Sequence, residues 1–375
     1  MTDLLVIGGG VTGAATALAA AARGLRTVLV ERFPPGHRYG SSAGPSRIIR
    51  LAYDDPGYIT LVRDADRRWR DLQQSTGVRL VTRTGGLDFG PAGLPSLRAT
   101  AAAMASAGVP FTTLTGAELA ERFPQLRPDP GMEGLYQPDA GVLHADDCVA
   151  TLLAEAARHG AVIRHGARAR DLRPDGDGVS ATVDGQRLRA AAAVVAAGSW
   201  VNDVLGGTGV ALPVTVTREQ VGYYEVTGVD YTPARFPVTI EHQAARPYMI
   251  SMFPELVPGG GIKLMRDKTG PEITPEDLSG EPDQAGLDLL TAHARRRLHG
   301  LGPLLHAETC RYTMTPDADF ILDLLPGRPR IAVASACSGH GFKFAPTLGE
   351  IMVDLATTAT TPHNLHPFRL DRLDR

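Results

Sequence analysis

The sequence Val6-Ile7-Gly8-Gly9-Gly10-Val11-Thr12-Gly13, near the start of the chain, gives the strongest indication of its fold. A short apolar run, residues 4–7, leads into it and predicts a buried parallel strand. Residues 14–23 are rich in alanine and predict a helix that Gly24 ends. A second strand is predicted over residues 27–31, which completes a β-α-β unit within about thirty residues.

The glycines of this turn suit the phosphates of a dinucleotide. Gly8 permits the tight turn, Gly10 lets the backbone approach a pyrophosphate, and Gly13 lets the helix pack on the strand. Val11 and Thr12 stand at the start of the helix, where free N–H groups and the positive end of the helix dipole face the phosphates. A dinucleotide site is therefore the first functional prediction.

The acid at the end of the second strand narrows the choice of nucleotide. Glu31 can bind ribose hydroxyls and would repel a 2′-phosphate, which disfavours NADP. Arg32 follows it and is a further candidate contact to the cofactor. A glycine turn without a ligand is the alternative, but the strand, the helix and the acid stand at the right distances. The motif alone does not separate FAD from NAD.

Length and composition restrict the class of protein. The chain has 375 residues, enough for two domains or one large split domain, and its 43% hydrophobic content is ordinary for a soluble protein. A formal net charge of −3 gives no reason to expect nucleic acid or an anionic membrane as partner. Three widely separated cysteines favour neither a disulfide framework nor a metal site, so a reducing cytoplasm is the expected location.

The pattern along the chain predicts an α/β (two-domain α+β) fold. Residues 214–226 alternate with β-branched and aromatic side chains, as antiparallel strands do, whereas the ends and the middle of the chain have α/β character. We predict a Rossmann-like nucleotide-binding domain with an inserted antiparallel-sheet substrate domain. The first would comprise residues 1–82, 143–212 and 304–375, and the second residues 83–142 and 213–303.

Four further segments carry a family resemblance. They are Gly40-Ser41-Ser42 with Ser46-Arg47-Ile48-Ile49-Arg50, Ala197-Gly198-Ser199-Trp200, residues 310–317 (CRYTMTPD), and residues 338–343 (SGHGFK). Together they resemble the monomeric sarcosine oxidase and N-methyltryptophan oxidase family, within the D-amino-acid-oxidase-like amine oxidases. The likeness spans most of the chain and is strongest at residues 4–63, 191–202 and 306–350. It implies FAD as the cofactor.

The resemblance implies a covalent flavin. Cys310 matches the cysteine whose sulfur is bonded to the 8α-methyl group of FAD in the family. A thiolate is a competent nucleophile if a cation such as Arg47 lowers its pKa, and a small buried cysteine is the alternative. Cys148 and Cys337 are expected to be structural. The other implied cofactor contacts are Ser41, Ser42, Arg47, Gly198, Trp200, Gly339, Gly341, Phe342 and Lys343.

The resemblance also assigns four cations to catalysis. Arg47 would lie by the flavin ring, while Arg50 and Lys343 would hold the substrate carboxylate; their spacing would place both arginines on one face of a short helix. Lys263 would lie over the flavin and activate O₂, because a fixed cation stabilises superoxide as it forms. Solvated surface residues are the alternative. His340 is not expected to be a general base.

The chain departs from sarcosine-type enzymes around the substrate. Ser42 and Ala43 stand where the family has two histidines, and Asp267 stands nearest to another active-site histidine. Ser251 aligns with a tyrosine of the pocket, and with Gly339 completes the predicted substrate contacts. The site should be larger and differently charged. Asp267 is predicted to pair with Arg266 or Arg311, or to face a cationic part of the substrate.

These features predict an oxidase of a secondary, cyclic or N-alkyl amino acid larger than sarcosine. The neutral amine would lose a hydride to flavin N5 and give an imine, and O₂ would be reduced to H₂O₂. The partners are a small-molecule amine or amino acid and O₂, and the chain is expected to be a monomer. Three alternatives remain: a tailoring desaturase of an unusual cyclic amino acid, a flavin dehydrogenase with another acceptor, and a non-catalytic FAD-binding protein.

Overall fold

The computed structural model describes residues 2–244 and 249–374. Its helices are α1 (Val11–Ala22), α2 (Pro56–Thr76), α3 (Pro95–Ser106), α4 (Gly116–Arg122), α5 (Ala145–Arg158), α6 (Val201–Leu205), α7 (Gln284–Arg297) and α8 (Ala345–Thr358). Its strands are β1 (Thr2–Ile7), β2 (Thr27–Val30), β3 (Ser46–Ile49), β4 (Val81–Arg83), β5 (Gly86–Pro91), β6 (Thr112–Thr115), β7 (Met132–Gln137), β8 (Gly141–His144), β9 (Val162–Arg164), β10 (Ala169–Asp175), β11 (Gly178–Val183), β12 (Gln186–Val195), β13 (Thr215–Val226), β14 (Val238–His242), β15 (Met249–Met252), β16 (Ile262–Arg266), β17 (Leu301–Met314), β18 (Ile321–Leu325) and β19 (Arg328–Ser335).

The first sheet is the predicted nucleotide-binding sheet. Its order is β10-β11-β12-β1-β2-β9, with β19 parallel to β12 and β18 antiparallel to β19. Strand β1 pairs in parallel with both β2 and β12, and its residues alternate between two cores: Leu4 and Val6 face one, Leu5 and Ile7 the other. Burial on both faces explains the unbroken apolar run. The Rossmann-like part of the prediction is confirmed.

Helices from both ends of the chain cover one face of this sheet. Helix α1 packs against α5 and α8. The contact with α8 is close, since a Cβ atom on Gly349 would lie 2.6 Å from the carbonyl carbon of Ala15. The C-terminal helix therefore stabilises the helix that opens the nucleotide motif.

The second sheet is the predicted inserted sheet, in the order β17-β13-β16-β15-β14-β5-β7-β6. Its pairs are antiparallel except β14 with β5, which is parallel. Helix α7 covers one face, where Arg297 forms a buried ion pair with Glu241 of β14. Among residues 2–244 and 249–374, no helix has both the length and the apolar character to cross a membrane.

A third sheet, β3-β8-β4, corrects one prediction. Residues 46–49 form strand β3 and pair with β8, so the short helix predicted from the spacing of Arg47 and Arg50 is wrong. The β-branched Ile48 and Ile49 favour the extended strand. Arg50 lies just beyond the end of the strand, which lets its side chain turn toward the same cavity as that of Arg47.

Candidate active site

Almost all of the predicted site residues line one cavity of about 1130 Å³. The residues predicted from sequence come from positions as distant as Gly8 and Lys343, and all but Gly13 line it: Gly8, Gly10, Val11, Thr12, Glu31, Arg32, Ser41, Ser42, Arg47, Arg50, Gly198, Trp200, Ser251, Lys263, Asp267, Cys310, Gly339, Gly341, Phe342 and Lys343. Gly13 packs behind the turn instead. A Cβ atom there would lie 1.9 Å from the carbonyl oxygen of Gly8.

Side-chain oxygens hold the glycine turn in place. Glu31 accepts hydrogen bonds from the backbone N–H of Gly9 at 2.6 Å and of Phe33 at 2.8 Å. Ser42 Oγ accepts from the N–H of Val11 at 3.0 Å, at the first turn of α1. The turn and the Gly/Ser loop are thereby joined on one wall of the cavity. Arg32 forms a two-bond ion pair with Glu276, at 2.7 and 2.8 Å.

Arg47 organises the Gly/Ser loop. Its guanidinium donates to the carbonyl oxygens of Ser41, Ala43 and Ser46 at 2.6–2.8 Å, and it lies 5.7 Å from the ring centre of Phe342. The buried Oγ of Ser41 has no hydrogen-bond partner within the described residues. A polar ligand that enters the cavity can therefore satisfy it.

Burial and two neighbouring cations have opposite effects on the thiol of Cys310. The residue is half-buried on β17, and burial raises the pKa of its thiol to about 11, although Arg47 and Lys263 act to lower it. The predicted cation is present, but burial has the larger effect on the pKa. Cys148 is buried against the carbonyl oxygen of Leu80, and Cys337 Sγ accepts from the N–H of Thr313 at 3.4 Å.

Lys263 is buried, with 7% exposure, so the surface alternative is wrong. Its position on β16 brings Nζ to 3.1 Å from the carbonyl oxygen of Ser46 and 3.2 Å from Ser46 Oγ. The ammonium group also lies 4.6 Å from the ring centre of Phe253. Burial, reinforced by Arg47, lowers the pKa of Lys263 to about 7. The lysine places a titratable cation inside the cavity.

A carboxylate that the sequence did not reveal accompanies Arg50. Asp88 on β5 lies 3.5 Å from Arg50 Nη1 and 3.0 Å from His242 Nε2, and Ser96 Oγ lies 3.2 Å from His242 Nδ1. Burial would raise the pKa of Asp88, but Arg50 and His242 together hold it below its usual range. The one signal in the sequence was an acid within the apolar stretch 86–89.

Tyr53 was also missed, and it contacts the second predicted carboxylate ligand. Lys343 Nζ donates to the Tyr53 hydroxyl at 2.8 Å and to the carbonyl oxygen of His340 at 2.8 Å. The Tyr53 ring lies 4.7 Å from the guanidinium carbon of Arg50. One tyrosine thus touches both cations. Its only signal was its position within the segment of strongest family likeness.

Asp267 and Ser251 lie at the cavity wall formed by β15, β16 and the turn that follows. Asp267 accepts a hydrogen bond from the N–H of Met249 at 2.5 Å, and burial raises its pKa. Its predicted pairing with Arg311 is wrong, because Arg311 donates to the carbonyl oxygens of Pro275 and Asp277. Ser251 pairs with Met265 across the strands and lines the cavity.

Comparison with known proteins identifies the family. The DAO family of FAD dependent oxidoreductases matches residues 3–355. The chain belongs to this family. It is 33% identical to the monomeric sarcosine oxidase of Streptomyces avermitilis, over 99% of this chain and 97% of that protein. It is 31% identical to the N-methyl-L-tryptophan oxidase of Salmonella heidelberg, over 100% and 99% of the two chains.

Solved structures agree with this assignment. The fold matches NikD, an unusual amino acid oxidase essential for nikkomycin biosynthesis, with a TM-score of 0.87, 28% identity, and coverage of 98% and 97%. It also matches the L-proline dehydrogenase of P. horikoshii, with a TM-score of 0.86 at 19% identity, which supports the fold alone. The glycine turn, Glu31 and the orphaned Ser41 hydroxyl suit the cofactor of the family, FAD.

Proposed function

We propose that this FAD-dependent oxidoreductase oxidises a secondary, cyclic or N-alkyl amino acid larger than sarcosine, with O₂ as the electron acceptor. The observation that carries the proposal is the pair of largely buried cations, Arg50 and Lys343, which line one cavity together with Lys263. A protein that only stores flavin has no need for buried cations beyond those that neutralise the phosphates.

Arg50 and Lys343 are proposed to hold the substrate carboxylate. Asp88 orients the guanidinium, and Tyr53 and the carbonyl oxygen of His340 orient the ammonium group. A carboxylate between two fixed cations leaves little rotational freedom, so the amine is presented in one direction. FAD bound beside this site would supply the hydride acceptor for oxidation of the carbon next to the amine, and the route for the electrons to O₂, which would give H₂O₂.

Lys263 is proposed to stabilise the charge that develops on O₂, and Cys310 to anchor the flavin. Both line the cavity, and Ser46 and Phe253 hold the lysine in place. A fixed cation in a low-dielectric site stabilises a developing anion more than a solvated cation does. The small side chains of Ser42, Ala43 and Ser251 leave room for a substrate larger than sarcosine.

Anaerobic bleaching of the protein-bound flavin tests this function. A panel of N-methyl, N-alkyl and cyclic amino acids should include one that removes the visible flavin absorbance, and air should restore it with release of H₂O₂. The matching acids without an amino group serve as controls and should leave the flavin oxidised. Failure of every amine to bleach the flavin would favour a non-catalytic flavoprotein, and bleaching without reoxidation by air would favour a dehydrogenase.

A second candidate is the desaturation of an unusual cyclic amino acid in secondary metabolism. It is favoured by the likeness to NikD over 98% of this chain. The two candidates differ in the fate of the imine. Mass spectrometry after one turnover should find a ring that has lost two hydrogens for the desaturase, and a carbonyl product with a released amine for a hydrolysing pathway.

A further inference from the structure

Lys343 is a buried lysine whose hydrogen-bond partners are neutral. It is 5% exposed, and Nζ donates to the Tyr53 hydroxyl and to the carbonyl oxygen of His340. Arg50, in contrast, has the carboxylate of Asp88 at 3.5 Å. The charged groups that act on Lys343 are Arg50, which disfavours its ammonium form, and Asp88, which favours it.

The hydrogen bonds around Tyr53 run in one direction. His340 Nε2 lies 3.2 Å from the carbonyl oxygen of Ala318, which can only accept, so Nε2 carries the hydrogen. Burial keeps the pKa of His340 well below its usual value, and Nδ1 of the neutral ring is then an acceptor. The Tyr53 hydroxyl, at 3.2 Å, must donate to Nδ1. Its oxygen is left to accept from Lys343.

The direction of these hydrogen bonds leaves the nitrogen lone pair of a neutral Lys343 free to accept a proton. Its two N–H groups are used by the Tyr53 oxygen and the His340 carbonyl, and neither partner offers a hydrogen to the nitrogen lone pair. The side chain lines the cavity. A proton that arrives from the cavity would create a third N–H group, free to bind a carboxylate oxygen.

We propose that Lys343 takes the proton of the substrate ammonium group as the substrate carboxylate binds, with Tyr53 and His340 as positioning residues. The inference rests on the proposed function. One N–H bond of the ammonium breaks, one forms on Nζ, and no electrons are transferred. The substrate keeps a neutral amine, the form able to give up a hydride, and its carboxylate gains a cationic partner. Burial, which lowers the pKa of Lys343 well below that of a solvated lysine, supports the direction of transfer.

Calorimetry of acetate binding to the flavin-loaded protein tests the proposal. Acetate has a carboxylate but no ammonium group, so the proton must come from the buffer. Titrations at pH 8 in two buffers of different ionisation enthalpy should give an uptake of about 0.5–1 proton per acetate bound. Binding without proton uptake would overturn the proposal, as would a complete lack of acetate binding.

Two variants distinguish Lys343 and its partner Tyr53 from other proton acceptors in the protein. Lys343→Met should abolish the uptake. Tyr53→Phe keeps the ring beside Arg50 but removes the oxygen that stabilises the ammonium group, so acetate should bind roughly 10-fold more weakly at pH 8. Tyr224→Phe, which loses a hydroxyl bonded to Thr291 outside the cavity, is the matched control and should behave as wild type. Unchanged affinity and proton uptake in Tyr53→Phe would exclude the positioning role.

The outcome is distinguishable from a failure of the proposed function. If acetate draws in a proton but no amine bleaches the flavin, the proton acceptor is present and the oxidase assignment fails. If amines bleach the flavin but acetate binds without proton uptake, the oxidase assignment holds and the role of Lys343 as proton acceptor fails.

Discussion

Lys263 and Lys343 are two of only three lysines in the chain, and both are buried in the same cavity. Arginine is used almost everywhere else. An ammonium group, unlike a guanidinium, loses its proton readily when buried. The two side chains whose charge can change thus lie in the cavity where the proposed transfer of protons and electrons takes place.

Replacing Lys263 by Met should affect one half-reaction far more than the other. Reoxidation of the reduced flavin by O₂ should slow by roughly 100-fold or more, because the cation proposed to stabilise superoxide is lost. Reduction by substrate should change only a few-fold, as rapid mixing can measure. Lys268→Met, the substitution of the exposed third lysine, is the control. Equal slowing of both half-reactions would count against a specific role in O₂ reduction.

Replacing Cys310 by Ser should leave the flavin removable. After acid precipitation the wild-type pellet should be yellow, while the flavin of Cys310→Ser should stay in the supernatant, since a hydroxyl is a far poorer nucleophile than a thiolate. Cys337→Ser, at a second cysteine that lines the cavity, should behave as wild type. A yellow pellet from Cys310→Ser would show that the linkage lies elsewhere.

The sequence predicted the cations of the site better than their partners. Lys263, Lys343 and Arg50 each stand in a local motif, so adjacent residues identified them. The partners of the two lysines are distant: Tyr53 and Lys343 are 290 positions apart, and Ser46 and Lys263 are 217 apart. Asp88, the partner of Arg50, in turn contacts His242, 154 positions away. The contact of Asp88 with His242 depends on the pairing of β5 with β14, and a single sequence does not contain that register.

Arg47 and Arg50 line the cavity from strand β3 and the residue just after it, not from the predicted helix. The spacing of Arg47 and Arg50 fits a helix face, yet residues 46–49 form a strand paired with β8. Periodicity cannot decide between the two over so few residues. The β-branched pair Ile48 and Ile49 was the better guide to the local conformation.

The contact between β14 and α7 predicts a large effect on stability. Glu241→Gln should lower the free energy of unfolding by about 3 kcal/mol, because it leaves the guanidinium of Arg297 buried without its main counter-charge. Asp129→Asn is the matched control: Asp129 binds the same arginine, but its side chain is 58% exposed. The control should cost under about 1 kcal/mol in urea unfolding. If both variants lost the same free energy of unfolding, burial of the ion pair would not explain the effect.

Motifs near both ends of the chain predicted the architecture. The nucleotide motif at residues 6–13 and the segment at 338–343 belong to one sheet and its crossing loops, because β19 and β1 both pair with β12. The division into two domains at the stated boundaries remains a prediction. Strand β17 runs across one of them, from residue 301 to 314, which a change of composition could not reveal.

Buried lysines should make stability depend on pH. Lys263 has a folded-state pKa of about 7, against about 10.4 in an unfolded chain, so the unfolded chain binds more protons between these values. Stability of the flavin-free protein should therefore rise as the pH increases from 7 to 10.

Lys263→Met should reduce that rise and raise stability at pH 7 by roughly 1–3 kcal/mol. The comparison requires protein without flavin. Because the flavin of Cys310→Ser should be removable, both lysine variants are made in that background and the flavin is removed before the measurement. Thermal unfolding from pH 6 to 10 measures it, with Lys268→Met in the same background as control. A lower melting temperature for Lys263→Met at pH 7 would contradict the prediction.

The pairing of β1 and β19 with the same strand has a consequence for biosynthesis. A ribosome that adds about 5–20 residues per second releases the glycine turn long before Cys310, Lys343 and the helix α8 that packs on α1. The cavity of the nascent chain is incomplete until residues 310–358 have been synthesised. FAD should therefore bind only after these residues have been synthesised. The supply of FAD during expression should then determine the fraction of molecules that contain the cofactor.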